Sequence, residues 1–470
     1  MTEHAGPQRS LSLGDQRAPA LEHAARLVAR AWHGFDEARD VETVPSEQLQ
    51  AMLSESLPEE PGEVISDLDA AADVLDASLA QSRPRYLAYI GSSGLEIGAL
   101  ADLLAHSYDI NLALDARAAT LLENQAIGWL ADFLGFPATA GSFTSGGTIS
   151  NITALAAARE RALPGTRATG MGGHRVSLYC SAEAHYSVTR AAELLGIGRD
   201  NDANRRMSAH ALAEAIDSDI AVGVTPIAVV ATAGTTLTGA VDPIDAIADE
   251  CSPRGVWLHV DGAYGLPAAS ARESAHLFAG LQRVDSLSVD AHKWMFVPKA
   301  CSAVLVRRTA DLATAFSHNE AYIPHDDDAL NAVDVTLEYS RPLRALKLWL
   351  ALRVHGAQAF REAIGRNLMQ AQLLYDLASA HPDFLTLPAR PQLSIVPIRH
   401  APPGCPDVSA HNETLCRAMQ SDGRVYISPA VIDGQTWLRP CFTNFRTTEE
   451  DVRVTLAVAA EIGDAVLAGR

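Results

Sequence analysis

The stretch DSLSVDAHKWMFVPKACSAVLVR, residues 285–307, decides the fold and places Lys293 between two predicted strands. Residues 286–290 alternate apolar and polar as a half-buried strand does, and residues 303–306 predict a second strand. Because burial disfavours an ammonium ion, a lysine between apolar neighbours is expected to have a lowered pKa and a neutral, nucleophilic amine. Such an amine can form a Schiff base with a carbonyl compound, although most lone lysines at strand ends simply extend into water.

Length, net charge and cysteine content limit the classes to which this protein can belong. A chain of 470 residues is long enough for one large α/β domain with smaller additions at its ends, and its formal net charge of -20 argues against nucleic acid or an anionic membrane as a partner. Six scattered cysteines without CxxC pairs suggest neither disulfides nor a metal site. The N-terminus lacks a signal-peptide pattern and no apolar run is long enough to span a bilayer, so we expect a cytoplasmic protein.

The central part of the chain, residues 141–307, alternates glycine-rich turns, helices and short apolar strands. This pattern predicts a mostly parallel sheet with helices on both faces, whose ligands bind beyond the carboxyl ends of the strands. The predicted strands are residues 176–180, 226–232, 256–260, 286–290 and 303–306.

The flanking parts predict two smaller units. Residues 1–83 contain amphipathic helices that need something to cover, and a second subunit is one candidate. Residues 84–379 form the large domain, and residues 380–470 combine strand-like segments with a closing helix as a small α/β domain.

The segment FTSGGTISN, residues 143–151, leads directly into a helix. Its glycines allow close approach of the backbone, and the free amides at the helix start favour a phosphate. The alternative is an ordinary turn in which Thr148 or Ser150 caps the helix.

The segment VWLHVDGAYG, residues 256–265, places Asp261 directly after an apolar strand. A buried carboxylate needs a partner, and a pyridinium nitrogen would suit, with small Ala263 beneath a flat ring. The alternative is an aspartate that caps a turn.

Two further strand ends carry candidate side chains. His185 follows the strand that ends at Cys180, where its imidazole can stack on a ring, although an isolated histidine is more often a surface residue. Thr235 and Thr236 in ATAGTTLTGAVD supply hydroxyl donors.

These motifs together resemble the group II pyridoxal-phosphate-dependent decarboxylases, the family of aromatic-L-amino-acid, histidine and glutamate decarboxylases with the fold type I architecture. The resemblance runs from about Leu21 to the end. It implies a seven-stranded, mostly parallel sheet and a homodimer with active sites at the interface. The motifs that carry it are TSGGTISN, EAHYSV, ATAGTT, HVDGAYG, DAHKW, RPLRALKLW and LRPCFTNFRTTEEDV.

The resemblance also implies a role for each matching residue. Lys293 would bind pyridoxal phosphate covalently, and Asp261 would contact its ring nitrogen. The ring would lie between His185 and Ala263. Its other contacts would be Gly147, Thr148 and His292 at the phosphate, and Thr236. A mobile loop would bring Tyr322 to protonate the α-carbon after CO2 leaves.

The implied reaction is decarboxylation of an L-amino acid to the amine. The substrate amine displaces Lys293, and the carbanion left by CO2 is delocalised into the protonated ring. One alternative is an aldehyde synthase, although such relatives tend to replace the loop tyrosine or the stacking histidine, and this chain has both Tyr322 and His185. The other alternative is a catalytically silent homologue.

Two departures from the family pattern bear on the site. Asp290 stands where animal aromatic decarboxylases often have asparagine, and since a phosphate would repel its carboxylate, we expect it to point away. The predicted substrate residues Tyr89, Ser92, Asp109 and Asn111 belong to segments without the aromatic and proline residues of those enzymes. Asp109 and Asn111 stand where those enzymes have apolar side chains. A polar or smaller substrate side chain is therefore also possible.

Overall fold

A computed structural model describes residues 11–40, 44–114, 116–198, 207–318 and 332–469. Its central sheet has the strand order β1-β6-β5-β4-β3-β2. The strands are β1 Ala140–Thr144, β2 Val176–Cys180, β3 Thr225–Thr232, β4 Trp257–Asp261, β5 Ser286–Asp290 and β6 Ser302–Val306.

Four of these strands, β2 to β5, run parallel, whereas β6 runs antiparallel to both of its neighbours. The turn from β5 to β6 explains the reversal, because residues 291–301 are too few for the crossover that a parallel neighbour requires. The mostly parallel sheet is confirmed. The expected count of seven strands is not met by the described residues, which form six.

Helices cover both faces of this sheet, and alternate strand residues enter separate cores. In β3, Val229 and Ala231 pack into one apolar cluster while Val230 packs into the other, as the two-residue period of a strand requires. The helices are α1 Arg17–Asp36, α2 Glu47–Met52, α3 Val64–Asp76, α4 Glu96–Tyr108, α5 Ala118–Leu134, α6 Gly147–Ala162, α7 Thr166–Thr169, α8 Tyr186–Leu194, α9 Ala209–Ala221, α10 Ile244–Arg254, α11 Ala291–Trp294, α12 Thr309–Phe316, α13 Ala345–Ala380, α14 Val408–Asp422 and α15 Glu449–Leu467. Within the described ranges no helix is long and apolar enough to cross a membrane.

The C-terminal part forms a second, antiparallel sheet of the order β7-β8-β10-β9. Its own apolar core also includes Leu87, whose backbone bonds to Tyr426 and Cys441. The boundaries predicted near residues 83 and 379 stay predictions. The strands are β7 Phe384–Thr386, β8 Ile398–His400, β9 Ser428–Ile432 and β10 Gln435–Arg439.

A buried ion pair joins α5 to the segment before α13. Arg341 Nη1 donates to Glu123 Oε2 at 2.8 Å, and the two side chains are only 2% and 7% exposed. A buried charge without its partner is costly, so this pair constrains how the two segments pack.

Replacement of Arg341 by methionine should lower the free energy of unfolding by about 3–5 kcal/mol, because the Glu123 carboxylate stays buried without a partner. Urea denaturation followed by tryptophan fluorescence measures the change. The matched control is Arg417→Met, which removes an exposed pair with Glu413 and should change stability by about 0.5 kcal/mol or less. Similar losses in both variants would contradict the prediction.

Candidate active site

A cavity opens at the carboxyl ends of β3, β4 and β5, the edge at which ligands of parallel sheets bind. It contains seven of the eight side chains and glycines predicted to contact a cofactor, the exception being His292. The lining residues are Ile90, Gly147, Thr148, His185, Ser187, Thr232, Gly234, Thr236, Asp261, Ala263, Tyr264, Asp290 and Lys293.

Asp261 ends β4, which pairs in parallel with β5 so that Asp261 lies opposite Ser288. Its carboxylate accepts hydrogen bonds from Asn151 Nδ2 at 2.9 Å, from the Ala263 backbone amide at 3.2 Å and from Ser288 Oγ at 3.3 Å. These donors hold a nearly buried carboxylate at the cavity wall. The arrangement suits a carboxylate that faces a positively charged ring nitrogen.

Lys293 lies in the same cavity, and its amine is 2.9 Å from Asp290 Oδ2. The expected lowering of its pKa is wrong. Burial alone would lower the pKa of Lys293, but the charge and hydrogen bond of Asp290 outweigh burial and raise it above the ordinary value. The amine is therefore an ammonium ion while Asp290 is ionised beside it.

Asp290 also does not point away from the phosphate end, contrary to expectation. Both of its carboxylate oxygens would lie 3.2 Å from a Cβ at Gly147, so the carboxylate faces the start of α6. Burial would raise the pKa of Asp290, but the charges of Lys293 and His292 hold it below the ordinary value. Its Oδ1 is buried without a hydrogen-bond partner among the described residues.

The start of α6 provides an anion site. The helix begins at Gly147, and no side chain caps its first turn, which leaves backbone amides for an anion. A Cβ at Gly147 would lie 2.9 Å from that of Ala263, so glycine is needed for this close approach. With Thr148 in the same wall, these residues fit a phosphate group.

His185 caps the start of α8 and lines the cavity. Its Nδ1 lies 2.9 Å from Ser187 Oγ and accepts the Ser187 backbone amide at 3.3 Å. Burial lowers the pKa of His185, with Asp261 and Lys293 acting in opposite directions. A neutral, half-buried imidazole suits stacking on a flat ring.

His292 lies between the backbone of Cys301 and the carboxylate of Asp290. Its Nδ1 lies 2.9 Å from the Cys301 carbonyl oxygen and 3.2 Å from the Cys301 amide nitrogen. Its Nε2 is 3.7 Å from Asp290 Oδ2, so Asp290 is its nearest acidic neighbour. Phosphate binding by His292 stays a prediction.

None of the four predicted substrate residues lines the cavity of this chain. Ser92 Oγ donates to the Val297 carbonyl oxygen at 3.0 Å, and Asn111 bonds to Ser340 and to backbone amides. Asp109 and Tyr89 have left-handed backbone angles and exposed side chains. Local hydrogen bonds thus use the polar groups of Ser92 and Asn111, and a substrate contact by any of the four residues stays a prediction.

Ile90, next to Tyr89, lines the cavity instead. Sequence reasoning also missed Ser187, Thr232 and Tyr264, although each lies within two or three residues of a predicted site residue or strand end. Tyr322 lies outside the described residues.

A lysine, a nearly buried carboxylate, a half-buried imidazole and an uncapped helix start line one cavity, and together they fit pyridoxal phosphate. The model of the pyridoxal-dependent decarboxylase conserved domain matches residues 45–400. The chain therefore belongs to the pyridoxal-phosphate-dependent amino-acid decarboxylases, which are lyases, and its cofactor is pyridoxal phosphate.

Individual relatives agree with this assignment. The aromatic-L-amino-acid decarboxylase of Bacillus atrophaeus is 33% identical over 431 residues, covering 87% of this chain and 88% of the relative. The L-2,4-diaminobutyrate decarboxylase of Rhizobium meliloti is 34% identical over 362 residues, which cover 73% of this chain and 70% of the relative. The crystal structure of Oryza sativa TDC with PLP and tryptamine has a similar fold, with a TM-score of 0.89, 24% identity and coverage of 98% and 100%.

Replacement of Asp290 by asparagine should speed the covalent reaction of the apoprotein with pyridoxal phosphate at pH 7. Without the carboxylate the pKa of Lys293 falls, and each unit of decrease raises the neutral amine fraction about tenfold. The pH at which the reaction accelerates should therefore move down. Stopped-flow absorbance from pH 6 to 10 measures the rate, and borohydride reduction confirms the linkage.

The matched control is Asp311→Asn, because Asp311 is also buried but lies on α12 and pairs with Arg308. It should leave the pH profile unchanged. A slower reaction in Asp290→Asn, or an unshifted profile, would show that Asp290 does not set the pKa of the lysine.

Proposed function

We propose that this protein removes the α-carboxyl group of an L-amino acid as CO2 and releases the corresponding amine. The observation that carries the proposal is the meeting of Lys293, Asp261 and His185 in one cavity. Pyridoxal phosphate supplies the electron sink for the electron pair left when CO2 departs. Lys293 would hold its aldehyde, Asp261 would keep a proton on its ring nitrogen, and His185 would orient its ring.

The α-carboxylate has a candidate partner that the sequence did not single out. Arg439 ends β10 and is 3% exposed, and its Nη1 donates to the Tyr89 carbonyl oxygen at 3.0 Å. Its Nε and Nη2 are buried without partners among the described residues. Arg439 is not itself among the lining residues, but the carbonyl that it contacts belongs to Tyr89, which precedes the lining residue Ile90. We propose that this guanidinium binds the substrate carboxylate.

Arg439→Lys should raise KM at least about tenfold and change kcat far less, because it removes the forked donor from ground-state binding but keeps the charge. Steady-state CO2 release measures both constants. The matched control, Arg399→Lys, changes another buried arginine of the small sheet, whose guanidinium bonds to Gln435 and Ser409. A lowered kcat with unchanged KM in Arg439→Lys would contradict a carboxylate-binding role.

The substrate side chain is the open part of the proposal. Relatives named for aromatic amino acids and for diaminobutyrate have similar identities to this chain. Asp109 and Asn111 give no support for a polar substrate, since neither residue lines the cavity that a single chain forms.

A panel of L-amino acids, assayed for CO2, amine and aldehyde, tests the function directly. We expect one class of substrate to yield CO2 and amine in equal amounts, and Tyr322→Phe to shift the product toward aldehyde. Lys293→Ala, the control, should lose both turnover and the borohydride-reducible linkage. Aldehyde, ammonia and peroxide from the wild-type protein would instead identify an aldehyde synthase, and a reducible linkage without turnover of any amino acid would identify a silent homologue.

We further propose a homodimer with its active sites at the subunit interface. Helix α4 supports this because Leu100, Leu103, Leu104 and Tyr108 are between 44% and 77% exposed. An apolar face of this kind is typical of surfaces that a second subunit covers. Sizing in solution by light scattering distinguishes a dimer from a monomer.

A further inference from the structure

Asn151 lies at the centre of a buried hydrogen-bond network behind the cavity. It follows Gly147 by one turn of α6 and is fully buried. Its Nδ2 lies 2.9 Å from both Asp261 Oδ2 and Ser187 Oγ, and its Oδ1 lies 3.0 Å from His259 Nε2. One amide group therefore contacts three residues on two elements, Ser187 of α8 and both His259 and Asp261 of β4.

The carboxylate of Asp261 decides which way this amide points. An ionised carboxylate only accepts hydrogen bonds, so the NH2 group of Asn151 must face Asp261, and its carbonyl oxygen must face His259. His259 Nε2 then carries a proton and donates it. Burial lowers the pKa of His259 to about 4, with Asp261 the charged group acting against it, so the ring is neutral and its Nδ1 accepts.

The far end of the network agrees with this direction. Ser286 Oγ lies 2.8 Å from His259 Nδ1 and also accepts the Trp257 indole N–H at 2.8 Å. Because an indole nitrogen can only donate, the serine hydroxyl is free to donate its own proton to His259. Donors thus follow one another from Trp257 to Asn151.

The second proton of the Asn151 amide leads to His185. It is donated to Ser187 Oγ, and the Ser187 hydroxyl in turn can donate to His185 Nδ1. The Ser187 backbone amide donates to the same nitrogen. With two donors on Nδ1, the single proton of a neutral His185 lies on Nε2.

We propose that Asn151 is a positioning residue for the cofactor: its one amide group both aims the Asp261 carboxylate and, through Ser187, determines that His185 carries its proton on Nε2. This amide thereby couples Asp261, which would contact the ring nitrogen of the cofactor, to His185, which would contact one face of the ring. The inference depends on the pyridoxal phosphate site and not on which amino acid is decarboxylated.

Asn151→Asp tests the proposal because it exchanges the donor for an acceptor of nearly the same shape. A second carboxylate beside Asp261 removes a hydrogen bond to a charged group, which corresponds to about a 10- to 100-fold weaker affinity. We expect the dissociation constant of pyridoxal phosphate for the apoprotein to rise by this factor. The loss should grow from pH 6 to 8 as the added carboxylate loses its proton.

Asn412→Asp is the matched control, since Asn412 is fully buried in α14 and bonds to backbone groups of His400 and Val408. It should lower thermal stability but leave the dissociation constant and its pH dependence as in the wild-type protein. An Asn151→Asp protein with an affinity within twofold of wild type from pH 6 to 8 would overturn the proposal.

Ser187→Ala tests the branch to His185 and decides the matter if Asn151→Asp does not fold. The charged groups that act on His185 are Asp261, Lys293 and Asp290, and all three remain in this variant. Without the hydroxyl, only the Ser187 backbone amide still donates to Nδ1, so the proton of the ring is less firmly held on Nε2 and the pH dependence of the holoenzyme's visible absorbance should differ from that of the wild-type protein. An absorbance titration identical to that of the wild-type protein would overturn the proposal. Turnover in the amino-acid panel is a separate readout, so a failure of the proposed function would be seen independently.

Discussion

Parallel pairing of β3, β4 and β5 is the constraint on which the site depends. The three strands end at the same edge of the sheet, so Thr232, Asp261 and Asp290 reach one cavity from separate parts of the chain. The antiparallel β6 returns the chain at once, and α11 therefore holds Lys293 directly above that edge. Sheet geometry, more than any single contact, brings together the groups that we propose act on the cofactor.

The cavity concentrates charge where burial makes charge costly. Lys293 and Asp290 compensate for each other in the described chain, and each holds the pKa of its partner toward the ionised form. A phosphate group bound at the start of α6, as proposed, would bring further negative charge next to Asp290. If Lys293 binds the cofactor as proposed, this pair would have to rearrange, because the lysine needs a neutral amine to react and the carboxylate would gain a repulsive neighbour.

Behind the cavity wall, neutral polar side chains orient the Asp261 carboxylate. Asn151, His259 and Ser286 are fully buried, and each has its hydrogen-bonding groups paired. Such a network orients Asp261 without adding a charge that would compete with the ring nitrogen. Burial lowers the pKa of His259 to about 4, so this histidine, two residues before Asp261, stays uncharged at neutral pH.

The sequence by itself determined the class of enzyme, since the strands, the glycines of the phosphate site and the residues Lys293, Asp261 and His185 follow local patterns of polarity and turn chemistry. Tertiary structure decided what depends on residues far apart in the chain. This second group contains the reversal of β6, the ion pair that raises the pKa of Lys293, and the local hydrogen bonds of Ser92 and Asn111. It also contains the Arg439 guanidinium, whose Nε and Nη2 have no partner among the described residues. The physical reason is that strand spacing can be read from neighbouring residues, whereas a pKa or a hydrogen-bond partner is set by groups that only folding brings within about 3 Å.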